Sequence, residues 1–214
     1  MSELLRGLPP LLASHLELAL LALLIAAAIS LPLAIVVAAR PRLSFVVVSA
    51  AGVVQTVPGL ALLALMVPVL AKTGWLSPFG FPPALIALTL YAILPILRNA
   101  VTGLRGVDPA AREAARGMGM SAWQLMRIVE LPLAAPVIAA GLRTATVWTV
   151  GAATLATPIG QPCLGNYIFA GLQTRNGRLL FVGVVASAAL AITLDLLLGA
   201  VERALARRRP AWPP

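Results

Sequence analysis

Five long runs of predominantly apolar residues dominate the pattern of hydrophobic and polar positions along the chain. They extend over about residues 16–39, 44–71, 82–100, 134–157 and 179–201. A helix that crosses a membrane needs about 20 such residues. Apolar and polar side chains do not alternate within the runs, which favours helices over strands. The pattern predicts an all-α polytopic membrane protein, a single domain over residues 1–214 with five transmembrane helices.

The second run contains a break. Gln55 and Thr56 are followed by Pro58 and Gly59, and Gln55 lies about 17 Å along the run at 1.5 Å per residue. Irregular backbone at that depth is tolerated mainly where it faces protein or a wet cavity. We expect Gln55, Thr56 and Pro58 to line a water-filled pathway; a hydrogen bond from Gln55 to a neighbouring helix is the alternative.

The longest polar interruption covers about residues 102–132, between the third and fourth runs. Asp108-Pro109 is typical of a helix start, with Asp as the N-cap and Pro in the first helical position. Good helix formers follow up to Met120, and Pro132 and Pro136 open the next run. The pattern predicts a short helix along the membrane surface.

Composition supports a membrane protein and excludes other classes. Hydrophobic residues make up 60% of the chain and charged residues 11%, against about 25% charged residues in soluble domains. This composition excludes a soluble globule and a disordered chain. With one cysteine, Cys163, and one histidine, His15, a disulfide scaffold, a cysteine-based zinc site and a histidine-centred catalytic triad are not expected. We expect no metal site.

The charge of +9 comes from basic residues that lie mostly between the apolar runs. Eleven of the 16 basic residues fall after the first run, after the third run and at the C-terminus, and four fall on the other side. Because cytoplasmic loops carry the excess of Lys and Arg, the N-terminus is predicted outside and the C-terminus in the cytoplasm. Nucleic-acid binding is not expected, since no basic face is interleaved with aromatic residues.

Arg143 and Asp195 are ionisable residues inside the fourth and fifth runs. Such residues are costly in a membrane and need a partner or water. Counted from the cytoplasmic ends of the runs, they lie at similar depths, about 10 and 12 Å. Because these two spans run antiparallel, an intramembrane ion pair is predicted. The alternative is that Arg143 reaches alone toward the inner surface.

The cytoplasmic segment carries a spaced motif: Glu113-Ala114-Ala115, three residues, Gly119, nine residues, Val129, one residue and Leu131-Pro132. It resembles the EAA loop of permease subunits of bacterial ABC importers, in which an Ile stands where this chain has Val129. Small residues allow close approach of a partner backbone. Arg112 and Glu113 are expected to make charged contacts that fix the orientation of that partner.

Further segments are similar to the glycine betaine/carnitine/choline osmoprotectant permeases. They lie at residues 55–64, 90–99, 107–120, 141–146 and 194–199. One stretch departs from that pattern: many relatives have a glycine-rich segment ending in Leu-Gly-Asp, whereas this chain has Leu164-Gly165-Asn166. The departure leaves the solute and the binding protein open.

The resemblance implies a type I ABC importer permease fold with a cytoplasmic coupling helix, in the bacterial inner membrane. The implied partners are a cytoplasmic ABC ATPase dimer, a second permease subunit, identical or paralogous, and an extracytoplasmic substrate-binding protein. The implied solute is glycine betaine, choline or a related quaternary amine, with another small zwitterion such as an amino acid as the alternative. The chain has no Walker A motif, so ATP and Mg are expected on the partner ATPase, and no cofactor or enzymatic activity is expected in this chain. A membrane enzyme and a non-transporting scaffold are the rival classes.

The resemblance also implies roles for particular residues. The loop that couples to the ATPase would comprise Asp108, Arg112, Glu113, Ala114, Ala115, Gly117, Gly119, Leu131 and Pro132. Independently of the resemblance, the break in the second run and the aromatic residues within the spans predict a translocation pathway that comprises Gln55, Thr56, Pro58, Tyr91 and Trp148. Tyr91 and Trp148 are candidates for cation–π stacking on a quaternary ammonium, and ordinary packing within the spans is the alternative.

Overall fold

The computed structural model describes the backbone of residues 2–207 and the side chains of residues 6–204. Arg208 and Arg209, two of the arginines used to predict orientation, lie outside the described residues. The α-helices are α1 (Ser2–Ala38), α2 (Pro41–Thr56), α3 (Gly59–Thr73), α4 (Phe81–Arg105), α5 (Pro109–Gly117), α6 (Ala122–Gln124), α7 (Leu131–Ala153), α8 (Gly165–Gln173) and α9 (Gly177–Arg207). A π turn (Leu125–Glu130) precedes α7, and a 3-10 turn (Thr154–Ile159) follows it. No strand occurs among the described residues.

Four stretches of the described chain are long and apolar enough to cross a membrane. They are α1, α4, α9 and the continuous stretch from α6 to the 3-10 turn. The pair α2 and α3 forms a fifth candidate, bent by 95° between its two halves. The break lies at Val57 and Pro58, whose backbones are extended with ψ of 126° and 138°. Pro58 biases the residue before it away from the helical region, and its own nitrogen has no hydrogen to donate. The second apolar run is therefore two helices and not one straight span.

Helix α1 begins well before the apolar run that predicted it. The apolar span is predicted from about residue 16, whereas the helix that contains it starts at Ser2 and includes Pro9 and Pro10. Each proline removes one backbone hydrogen bond. Packing compensates, since His15, Leu18 and the following alanines on the same face are fully buried in the bundle.

Helix α4 lies at the centre, with α1 and α7 packed along it. Small side chains allow this close packing: Ala84 and Ala87 are fully buried, and a Cβ on Gly103 would come within 3.0 Å of Val137 Cβ. Without a hydrophobic force between membrane helices, such close contact is the main source of their association. By contrast, α9 packs mainly on α7 and α8, and few of its described residues are buried.

The connections at the two ends of the bundle are largely helical. Between α4 and α7, only residues 106–108 and 118–121 are irregular, so the predicted loop over residues 102–132 is mostly helix and π turn. At the opposite end, α7 continues into the 3-10 turn, residues 160–164 and then α8. Helix α8 was not predicted from the sequence, because it is shorter than any spanning run.

Candidate functional site

Helix α5 begins where the Asp108-Pro109 pair predicts. Asp108 Oδ1 accepts a hydrogen bond from the backbone nitrogen of Ala110 at 2.9 Å, and Pro109 is the first helical residue. Ala115 is the buried residue of this helix, with 1% of its surface exposed. Glu113, Ala114 and Gly117 are exposed. The helix therefore presents one face of its motif to the outside and buries the other.

Arg112 makes two contacts within the chain. Its Nε lies 2.7 Å from Glu130 Oε1, and its Nη2 donates to the carbonyl of Leu104 at 2.5 Å. These contacts connect α5 with the π turn and with the end of α4. Within the chain this side chain fixes the position of α5, and the charged contact with a partner stays a prediction.

Gly119 ends α5 through a left-handed backbone. Its φ is 77°, its nitrogen donates to the carbonyl of Arg116 at 2.9 Å, and Met120 donates to the carbonyl of Ala115 at 3.2 Å. This is the Schellman arrangement, in which glycine carries no Cβ penalty. A Cβ at Gly119 would meet nothing within 4 Å. The chain thus requires glycine here for its own conformation, independently of any partner.

The segment after Gly119 leads into α7. Ser121 and Gln124 form a capping box, with Ser121 N donating to Gln124 Oε1 at 2.8 Å. The π turn follows and joins directly to Leu131 and Pro132, which begin α7. Pro132 has no N–H, so it cannot donate a hydrogen bond to the carbonyl four residues earlier. Short π-helical segments within helices occur frequently at functional sites.

Three large apolar side chains are exposed around this end of the bundle and were not predicted as site residues. The exposed fractions are 70% for Met118, 68% for Trp123 and 57% for Ile128. Together with Glu113, Ala114, Gly117 and Gly119 they form a surface that we call the α5 surface. Trp123, the only aromatic residue of the polar interruption, was the signal that could have indicated it.

The break between α2 and α3 is tied to α4 by two hydrogen bonds. Gln55 Nε2 donates to the carbonyl of Tyr91 at 2.9 Å, and Tyr91 Oη donates to the carbonyl of Val57. The alternative for Gln55, a hydrogen bond between helices, is therefore what the structure contains. Thr56 and Pro58 are exposed beside it.

Trp148 lies apart from these residues. It is 68% exposed on α7 and lines a cleft with residues of α9. The five residues predicted for one pathway thus belong to two places, because Trp148 lines the cleft with α9, whereas Gln55 and Tyr91 hold the break between α2 and α3.

Arg143 and Asp195 are brought together between α7 and α9. Arg143 Nε lies 2.6 Å from Asp195 Oδ1, and Nη2 lies 2.7 Å from Oδ2, a two-pronged contact. Glu202 Oε2 lies 3.4 Å from Arg143 Nη1. Arg143 therefore does not extend alone toward the surface. Glu202 was missed, although its position two helical turns after Asp195 places both carboxylates on one face of α9.

At the end of the bundle opposite α5, the segment over residues 154–173 packs against α1 and is largely buried. His15 is fully buried; its Nε2 lies 3.1 Å from the carbonyl of Val150, and its Nδ1 accepts from the nitrogen of Leu164 at 3.3 Å. Cys163 is also fully buried, and this burial raises the pKa of its thiol against the opposing effect of its hydrogen bonds, that with Thr157 being the largest. No pattern in the sequence indicated that either residue is buried.

The arrangement thus has an exposed surface at one end, a sealed segment at the other, a sharp break in one span and an ion cluster between two helices. Residues 30–209 match the family described as "Binding-protein-dependent transport system inner membrane component". The chain belongs to this family and is a multi-pass inner-membrane permease.

Curated relatives match over most of the chain. It is 40% identical to the choline transport system permease protein OpuBB of Bacillus subtilis (strain 168), over 89% of this chain and 85% of that protein. It is 39% identical to the glycine betaine/carnitine/choline transport system permease protein OpuCB of the same strain, over 88% and 84%. It is 40% identical to the osmoprotectant import permease protein OsmW of Salmonella typhimurium, over 86% and 85%.

Solved structures share the fold at low identity. A chain of the MetNI methionine ABC transporter, in an inward-facing conformation, superposes with a TM-score of 0.83 at 21% identity, over 96% of this chain and 99% of that one. An amino acid ABC transporter superposes with a TM-score of 0.75 at 23% identity, over 98% and 97%. The predicted type I importer permease fold is confirmed.

Proposed function

We propose that this chain is the membrane subunit of an ATP-driven importer for a quaternary amine such as choline or glycine betaine. It would work with a second permease subunit, a cytoplasmic ATPase dimer and an extracytoplasmic binding protein. The solute is suggested by the names of relatives that are about 40% identical over most of their length. Import of an amino acid or another small zwitterion is the second candidate.

The observation that carries the proposal is the α5 surface. Exposed large apolar side chains are normal singly, but Met118, Trp123 and Ile128 are all exposed within the short segment that follows the capped helix α5. A contiguous apolar patch with charged residues at its edge is typical of a protein-interaction site. The ATPase would dock here, with Glu113 at the rim and Ala114 and Gly117 allowing close approach.

Movement of the docked helix would reach the transmembrane helices through the Arg112–Glu130 contact. Glu130 directly precedes Leu131 and Pro132 at the start of α7. A displacement of α5 that retains this ion pair must also move the π turn. Since packed helices shift as units between discrete arrangements, α7 would reorient with it.

The break at Val57 and Pro58 would contribute to the pathway. Thr56 and Pro58 are exposed there, while Gln55 and Tyr91 hold the broken backbone against α4. Non-helical backbone at membrane depth is stable where it lines a water-filled cavity. In the proposed alternating-access cycle this region faces the two sides of the membrane in turn, with the N-terminus outside and the α5 surface in the cytoplasm.

The experiment that tests coupling separates two properties of Gly119: its positive φ and the open space next to it. Gly119→Ala introduces a side chain at positive φ with little bulk, whereas Gly117→Trp adds bulk in open space within the helix. Gly119→Trp does both and is expected to abolish transport-linked stimulation of the ATPase, while the protein still inserts and assembles. Gly117→Trp is expected to do the same, and Gly119→Ala to reduce stimulation only in part.

The matched control is Gly177→Trp, which adds the same bulk in open space at the start of α9, far from the α5 surface. It should retain stimulation. Normal stimulation in an assembled Gly119→Trp complex would refute the docking assignment. Uptake of choline and glycine betaine into proteoliposomes, with the binding protein present and amino acids as competitors, tests the solute.

A further inference from the structure

A cleft opens between α7 and α9 on the exposed side of the ion cluster. Its volume is about 350 Å³, and its lining residues are Ala140, Arg143, Thr144, Val147, Trp148, Asp195 and Glu202. This volume lies at the lower end of the range for small-molecule sites, about 300–1,000 Å³. The cleft is therefore of a size for a small solute.

The charges of the cleft indicate that it faces water or solute. The side chains of Arg143, Asp195 and Glu202 are 37%, 29% and 28% exposed. All three lie on helices that are long and apolar enough to cross a membrane. Partly exposed ionised groups at such positions almost always face a bundle interior or a water-filled cavity, so lipid is a poor occupant of this cleft.

Most hydrogen-bonding capacity in the cleft is already used. Thr144 Oγ1 donates to the carbonyl of Ala140 at 3.0 Å, and Arg143 donates to both carboxylates. The large free surface is the indole ring of Trp148, together with the aliphatic walls of Ala140 and Val147. The cleft thus offers an aromatic face and carboxylate oxygens.

The net charge of the lining favours a cation. It contains one guanidinium and two carboxylates. Arg203 approaches the cluster at Gly199, where its Nη1 would lie 3.5 Å from an added Cβ, but it does not line the cleft. The two-pronged contact with Arg143 fixes the carboxylate of Asp195 in place, while Glu202 is held by a longer contact of 3.4 Å.

We propose that this cleft is a subsite for the quaternary ammonium headgroup of the transported solute. The inference rests on the proposed function and specifies where the headgroup passes. A trimethylammonium group has no N–H, so it enters a site with few free hydrogen-bonding partners without losing hydrogen bonds of its own. The face of Trp148 attracts it by cation–π interaction, and Asp195 and Glu202 supply the negative potential.

The test is direct binding of radiolabelled choline to the purified permease–ATPase complex, without the binding protein, by equilibrium dialysis. Trp148→Leu is expected to weaken binding about tenfold, as for a partly desolvated cation–π contact. Trp148→Phe should retain part of the affinity. Glu202→Gln should weaken binding while leaving the Arg143–Asp195 contact intact. Trp75→Leu, at a residue 91% exposed in the segment between α3 and α4, is the matched control and should bind choline as the unaltered complex does.

Uptake into proteoliposomes with the binding protein separates the two proposals. If the unaltered complex imports choline and Trp148→Leu binds and imports it equally well, the subsite is refuted and the proposed function stands. If the unaltered complex imports no quaternary amine, the proposed function falls and the subsite falls with it. Equal weakening by Trp75→Leu and Trp148→Leu would also refute the subsite, because the effect would not depend on the cleft.

Discussion

The two ends of the helix bundle use glycine in opposite ways. At the α5 end, a Cβ at Gly117 or Gly119 would meet nothing within 4 Å. At the other end, a Cβ at Gly165 would lie 1.9 Å from the carbonyl oxygen of Thr154 and 2.6 Å from Thr157 Oγ1. The motif glycines of α5 thus have open space around them, whereas Gly165 is enclosed by its own chain.

The hydrogen bonds follow the same division. At the α5 end, most of them close local caps, such as those of Asp108 and Ser121. At the sealed end local bonds are joined by several between residues far apart in the chain, for example His15 with Leu164, and Ser14 Oγ with the carbonyl of Pro162 at 2.9 Å. A locally stabilised surface is free to bind another protein, whereas a segment sealed by distant contacts must separate from α1 before it can move.

The largest effect is expected at Gly165. Gly165→Ala places a methyl group against backbone, which must shift, so we expect destabilisation of more than about 4 kcal/mol or failure to assemble. The matched variant is Gly117→Ala, in open space at the end of α5, with an expected change within about 1 kcal/mol. Thermal unfolding of both variants in detergent makes the measurement. Similar stabilities would remove the contrast between the two ends.

A smaller effect is expected at His15. His15→Phe keeps a ring in the buried position but leaves the nitrogen of Leu164 and the carbonyl of Val150 without this partner. Burying such groups unpaired costs about 1–3 kcal/mol each. Ser14→Ala, on the same helix, removes the bond to the carbonyl of Pro162 and one acceptor of Gln161 Nε2. Gln161 Nε2 keeps the carbonyl of Pro162 as its other acceptor, so the cost should be about 1 kcal/mol. Hydrogen exchange at residues 160–166 should rise in His15→Phe; unchanged exchange would show that the seal does not depend on His15.

The smallest effect is expected at the Arg143–Asp195 pair, whose side chains are partly exposed. Arg143→Gln leaves two carboxylates without their cation, while in Asp195→Asn the guanidinium keeps Glu202 as a partner. Arg143→Gln should therefore lower the melting temperature more than Asp195→Asn.

The double variant should lose less than the sum of the single losses, because a lone charge is the expensive state. A double-mutant cycle on melting temperature in detergent measures this coupling. Strictly additive losses would mean that the contact contributes nothing to stability.

Local rules were enough to predict much of this fold from the sequence. The length of the apolar runs predicted an all-α membrane protein. The Asp108-Pro109 pair predicted the start of α5, because helix capping depends on adjacent residues. Pro58 and Gly59 gave the position of the break for the same reason. The similar depths of Arg143 and Asp195 in two antiparallel runs were sufficient to predict their contact, since the rise per residue of a helix is constant.

The rest depended on tertiary packing. His15 contacts Val150, 135 residues away, and no periodicity relates two such positions. The 95° angle between α2 and α3 depends on the hydrogen bonds to Tyr91 and Val57 as well as on Pro58. Trp148 and Gln55 were both predicted to line the pathway because each is a polar or aromatic residue within a span. Which face of a helix is covered by other helices depends on its neighbours in the fold, and the sequence pattern does not contain that information. The sequence alone determined which segments are helical and where they break, because those are short-range effects; only packing decided which side chains meet.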